Sequence, residues 1–154
     1  MNTQLKPRND VHLARKIWHF TGVILIAVIY HNVSRTTGLQ ILAMVTLTNL
    51  WVDIYRQKSE RMNNFIIQYF GLIMRESERK GTAGTTYLSF GVLTIVAFFP
   101  KNVVMLSLLF LAIADPIASY FGVKYGRDRL FGRKSLQGTM AAFFVCLLVS
   151  MGYF

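Results

Sequence analysis

The chain has 154 residues, of which 53% are hydrophobic, and its mean hydropathy is +0.40. This length makes one domain, and this composition excludes an ordinary soluble fold of the same size. Seventeen Lys and Arg against seven Asp and Glu give a net charge of +10, which in a soluble protein would point to nucleic acid. Here the cations are sorted by loop, so nucleic acid is excluded as a partner and anionic lipid headgroups and an anionic substrate take its place.

Apolar runs cover roughly 17–33, 38–52, 83–99, 103–123 and 139–154. They read as five membrane-spanning helices. Most fall short of the ~20 residues of an ideal span, so tilt, snorkelling or a re-entrant piece must absorb the difference. The N-terminal arm carries Lys6, Arg8, Arg15 and Lys16, and the stretch between the second and third runs carries Arg56, Lys58, Arg61, Arg75, Arg79 and Lys80. A third basic stretch holds Lys124, Arg127, Arg129, Arg133 and Lys134, which leaves only Arg35 and Lys101 for the other two loops. The alternation places the N-terminus and both long loops in the cytoplasm, in a protein integral to the cytoplasmic or inner membrane of a prokaryote.

The first run lacks a small-residue cleavage site and is followed by four more, so it reads as an uncleaved span. Cys146 is alone in an apolar run, which excludes a disulfide framework and a cysteine metal site. His12 and His31 read as solvent-facing. In residues 61–75, Arg61, Asn64, Gln68 and Arg75 share one stripe with Phe65, Ile66, Tyr69, Phe70 and Ile73 largely opposite. This pattern predicts an amphipathic helix lying in the cytoplasmic interface, with a sixth buried helix as the alternative. Gly81-Thr82-Ala83-Gly84 then leads into the third span. With no repeat, linker or low-complexity tract, residues 1–154 read as a single membrane-embedded domain of the all-α class.

The fourth run contains Asp115-Pro116. Asp is a good N-cap and Pro suits the first helical position, so this span is expected to break at Asp115 and restart beside a water-filled cavity. An ionisable group at such depth is a functional-site hypothesis by default. Ala118, Gly122 and Gly126 follow at four-residue intervals, with Ser119 between them. That spacing suits close packing of two helices and equally the close approach of backbone to a phosphate. The carboxylate one turn before and the cations around it favour the phosphate. Lys134-Ser135 and Gly138-Thr139 have the composition of a phosphate-gripping element without the glycine loop of a P-loop, and Ser135 reads equally as the N-cap of the last helix. His19 stands one turn after Lys16, as a packing residue or a base. Asp53, Glu76 and Glu78 read as surface charges paired with neighbouring Arg and Lys, and any second carboxylate for a metal must come from among them.

Three blocks carry a resemblance: Arg15-Lys16-x-x-His19-x-x-Gly22; Arg75-Glu76-x-Glu78 with Gly81-Thr82-Ala83-Gly84-Thr85-Thr86-Tyr87; and Asp115-x-x-Ala118-Ser119-x-x-Gly122-x-x-x-Gly126 leading to Lys134-Ser135-x-x-Gly138. Over nearly its whole length the chain resembles the membrane CTP-dependent lipid kinases, which include dolichol kinases, phytol kinases and a CTP-dependent diacylglycerol kinase. The phosphatidate cytidylyltransferases are related. The resemblance implies a catalytic domain with CTP as phosphate donor, Mg²⁺ or another divalent cation, and a membrane lipid alcohol as acceptor, with a homodimer left open. It implies CTP binding at Asp115, Gly122, Gly126, Lys134 and Gly138; beside it, catalytic roles are expected for Asp115, His19 and Lys134 and further nucleotide contacts at Ala118, Ser119, Arg127, Arg133 and Ser135. Arg15, Lys16, Arg75 and Thr82 would meet lipid or phosphate, and Asp115 with Glu76 or Glu78 would hold the metal. The loop Phe131-Gly-Arg-Lys-Ser135-Leu-Gln137-Gly138 lacks the Ser-Pro-Lys-Lys of the cytidylyltransferase branch and has Gln137 where an acidic residue is common. The kinase branch is therefore expected, with CDP-diacylglycerol synthesis from phosphatidate as the alternative. Family members are usually longer, so further helices are expected beyond Phe154 or from a partner.

Overall fold

The computed structural model describes residues 13–132 and 134–154. The N-terminal arm with Lys6, Arg8 and His12, and also Arg133, lie outside the described residues. All five apolar runs are helices: α1 (Leu13–Asn32), α2 (Arg35–Lys58), α4 (Gly84–Phe98), α5 with α6 (Lys101–Leu109, Asp115–Lys124) and α7 (Leu136–Tyr153). Among the described residues, three are long and apolar enough to cross a membrane, namely Arg35–Lys58, Lys101–Lys124 and Leu136–Tyr153. The chain is thus an all-α integral membrane protein, with a hairpin, β1 (Arg129–Phe131) and β2 (Lys134–Ser135), as its small exception. At 15 residues, α4 is only ~22 Å long, below the ~30 Å of the hydrocarbon core.

The core is a column of small and β-branched residues, Val23 and Ala27 of α1, Val92 and Val96 of α4, Val104 and Leu108 of α5 and Ala112 beyond it, closed by Tyr30 and Leu42. Side chains this short let helix axes approach closely, which is how helices associate where lipid removes the hydrophobic drive. Large apolar residues such as Met44, Leu47, Trp51, Phe90, Phe98, Leu148 and Met151 point outward, as a lipid-facing surface requires.

Polar groups sort to two ends. At one end, Arg35 donates to the carbonyls of Val96 (3.1 Å) and Ala97 (2.6 Å), and Lys101 Nζ donates to those of His31 (2.8 Å) and Val33 (3.1 Å). The two cations outside the basic loops therefore satisfy orphan carbonyls at the C-terminal ends of α4 and α1, where the helix dipole also favours positive charge. At the opposite end, the start of α1, the end of α2, residues 71–83 and the start of α4 meet.

The segment 61–75 forms a shorter helix than its periodicity suggests, α3 (Glu60–Phe70), capped by Ser59, and none of its residues is buried. Phe65 and Tyr69 meet at a tilt of 52° on its exposed face, and Trp18 of α1 meets Phe70 edge-on. An exposed amphipathic helix with aromatics on its open face fits the bilayer interface rather than the core of a bundle.

Candidate active site at one end of the helices

The fourth span does not break at Asp115. Helix α5 passes through a single π-helical turn, Phe110–Ala114, directly into α6. Asp115 has helical dihedrals (φ −64°, ψ −48°), and no side chain caps the start of α6. Pro116 explains this: it lacks an N–H and its ring crowds the carbonyl four residues back. A turn widened by one residue accommodates both defects without ending the helix.

The widened turn leaves a carbonyl over. In an α-helix Leu111 O would accept the Asp115 N–H, but that N–H bonds to Phe110 O instead. His19 Nε2, reaching across from α1, lies 3.3 Å from Leu111 O and 4.0 Å from Asp115 Oδ2. A carbonyl can only accept, so Nε2 carries the proton in this contact. The Asp115 side chain is 63% exposed and so remains open to a ligand. Lys16 lies near enough to Asp115 to attract it electrostatically, and its Nζ sits 5.4 Å from the Tyr120 ring centre. Lys124 Nζ donates to Tyr120 Oη at 2.8 Å. One accessible carboxylate thus has His19 and Lys16 near it, and Tyr120 joins Lys16 to Lys124.

Asp53, Glu78 and Arg15 depart from expectation. Asp53 and Glu78 are buried, not surface charges. Glu78 pairs with Arg15 of α1 at 2.8 Å, and it accepts the backbone N–H of Arg75 at 3.4 Å. Arg15 also donates to Ile73 O at 3.0 Å, so its guanidinium is engaged in tying residues 73–78 to α1 instead of reaching for phosphate. A side chain at Gly84 would collide with that guanidinium, which accounts for the glycine at the mouth of α4. Glu76 is exposed beside Arg79 at 3.5 Å, as a surface pair should be. Thr82 is half-buried in the same segment. Among the described residues, no three His, Cys, Asp or Glu side chains cluster as a metal site.

The glycine stripe is turned to α7. A Cβ on Gly138 would lie 2.8 Å from Ala118 O and 3.1 Å from the Gly122 Cα, and one on Gly122 would lie 3.1 Å from Ser135 Oγ. Gly126 is closed off by Gly122 O and Ser135. The small residues that were expected to bare backbone for a phosphate instead bring α6 and α7 into contact, because this is the stripe on which the π turn leaves them. Ser135 is buried and caps α7 by accepting the Gly138 N–H at 3.2 Å. Replacing Gly138 by Ala forces two backbones apart and is expected to cost about 1–3 kcal/mol, whereas Gly152→Ala, whose Cβ meets nothing within 4 Å, should be neutral; melting in detergent checks both.

Between α6 and α7 the loop is latched by Gln137. Its amide oxygen accepts the Arg127 N–H (3.2 Å) and its amide nitrogen donates to Asp128 Oδ2 (2.9 Å). A carboxylate there could accept but not donate, and would repel Asp128, so glutamine suits this loop. Arg127 and Lys134 are exposed on it. Sequence reasoning missed Lys124, Tyr120 and the burial of the Asp53–Arg56 pair. The last had a signal in its three-residue spacing at the end of an apolar helix.

Fold and site define a membrane-embedded helical protein that exposes a carboxylate, Asp115, beside Lys16 and His19 within an apolar span. Over nearly its whole length the chain is similar to CTP-dependent lipid kinases. It is 30% identical over 145 residues to an uncharacterised protein of Rickettsia prowazekii, covering 92% of this chain and 70% of that protein. It is 31% identical over 146 residues to CTP-dependent diacylglycerol kinase 1 of Eremothecium gossypii (91% of this chain, 46% of the kinase) and 28% identical over 148 residues to that of Saccharomyces cerevisiae (92% and 51%). The chain thus spans about half the length of the fungal kinases it matches. No family model and no solved structure matches it.

Proposed function

We propose that this protein is a CTP-dependent kinase that phosphorylates a membrane lipid alcohol at the cytoplasmic face of the bilayer. Diacylglycerol is the first acceptor to consider, because the fungal relatives are named for it, followed by polyprenol and phytol-like isoprenoids. The observation that carries the reading is Asp115: an accessible carboxylate within the α5–α6 span, near Lys16 and 4.0 Å from His19.

Phosphoryl transfer asks little covalent help of a protein. It needs an aligned hydroxyl, a metal on the phosphates and cations for the charge that develops. Mg²⁺ is commonly held by one or two carboxylates, substrate phosphates and water, and the open Asp115 fits that mode alone, since Glu78 is committed to Arg15. A bound ion would neutralise charge on the phosphate oxygens. Lys16, Arg127 and Lys134 supply cations for the triphosphate, with Arg133 beside them in sequence. The lipid hydroxyl oxygen attacks the γ-phosphorus, the bond to the β-phosphate oxygen breaks, CDP leaves, and the hydroxyl proton passes to a phosphate oxygen or to water. The acceptor enters sideways between helices, keeping its tail in the bilayer.

Labelled CTP tests this directly. In nanodiscs with diacylglycerol and Mg²⁺, the γ-label is expected to appear in lipid and the α-label in CDP. Recovery of the α-label in lipid would mean nucleotidyl transfer, and recovery of neither across diacylglycerol, polyprenol and phytol would end the kinase reading.

A further inference from the structure

The π turn that presents Asp115 has a keeper on another helix. Closing it to a regular α-helix would rotate everything beyond it by about 100°. Asp115 would swing away from α1, and Ala118, Gly122 and Gly126 would swing off α7. Two features oppose that closure. Pro116 has no N–H to contribute to a regular helix, and the carbonyl released by widening, Leu111 O, is satisfied from outside by His19 Nε2 at 3.3 Å.

We infer that His19 is a positioning residue, which by donating to Leu111 O holds the π turn open and so sets the carboxylate of Asp115 in its working register. The same nitrogen stands 4.0 Å from Asp115 Oδ2, beyond hydrogen-bond reach, so its hold on the carboxylate is through the turn. Its proton is committed to Leu111 O, and Nε2 therefore does not take the proton of the lipid hydroxyl. This inference rests on Asp115 as the reactive carboxylate of the proposed kinase.

Two substitutions and one spectrum test it. His19→Leu removes the donor. His19→Gln keeps an N–H of similar reach but offers no base. With Leu, kcat should fall about tenfold, the rate equivalent of one lost hydrogen bond, with the KM for CTP nearly unchanged, and backbone hydrogen exchange over 110–116 should accelerate. Gln should recover most of both losses. In ¹⁵N-histidine-labelled wild type in nanodiscs, His19 should show the Nε2–H tautomer. If Gln restores slow exchange yet is as inactive as Leu, His19 is a base and the inference is overturned. If Leu leaves exchange unchanged, or the spectrum shows the Nδ1–H tautomer, nothing is being held and it is likewise overturned. A wild type that transfers no γ-phosphate defeats the kinase reading alone, because tautomer and exchange still decide whether His19 holds the turn.

Discussion

Asp115→Asn is expected to lower transfer of the γ-phosphate to lipid by about a hundredfold to a thousandfold while leaving folding intact. The asparagine amide matches the carboxylate in shape but lacks the charge that would hold a divalent cation against the phosphates. Stability should not suffer, because the side chain is largely exposed and His19 Nε2 stands 4.0 Å away, outside hydrogen-bond reach. Parallel assays of labelled transfer and of thermal stabilisation by CTP with Mg²⁺ check this, since a ligand that binds the folded state raises its melting temperature. Near-normal turnover in the variant would reduce Asp115 to a polar residue accompanying a proline.

The second large effect is on stability and centres on Arg56. Its side chain is buried and donates to Asp53 Oδ1 (2.6 Å), Asn63 Oδ1 (3.2 Å), Glu78 O (3.0 Å) and Gly81 O. Asp53, equally buried, uses its other oxygen to accept the Ala83 N–H at 3.0 Å and the Thr86 hydroxyl. One ion pair thus fastens α2, α3, the segment before α4 and the start of α4 together. Arg56→Met strands a buried carboxylate and three acceptors, and should cost about 3–5 kcal/mol. Replacing both charges, as Asp53→Leu with Arg56→Met, should cost less than the sum of the single variants, because no charge is then left unpaired. Yield of folded protein and melting in detergent measure it. A melting point for Arg56→Met close to wild type would mean the pair is solvated in the membrane-bound protein.

The sequence by itself determined what depends on neighbours within a turn or two. Apolar runs became α1, α2, α4, the α5–α6 span and α7 because a backbone without water must bond to itself, and Ser135 capped α7 because its hydroxyl needs only the N–H three residues on. The exposed amphipathic α3 was legible for the same reason, in its period. Only the tertiary structure decided what each polar side chain meets. Glu78 has Arg75, Arg79 and Lys80 beside it in sequence, yet pairs with Arg15, sixty-three positions away, because packing α1 against the 71–78 segment leaves that guanidinium the better-buried partner. Asp53 lies at the end of an apolar helix, where spacing alone cannot tell a surface charge from the anchor of a buried network. The direction of the glycine stripe turned on one extra residue in the π turn, about 100° of rotation that no local period records. Pro116 announces a disturbance there, but the carbonyl it frees is claimed by a histidine ninety-two residues earlier, a contact that exists only once α1 lies against the α5–α6 helix.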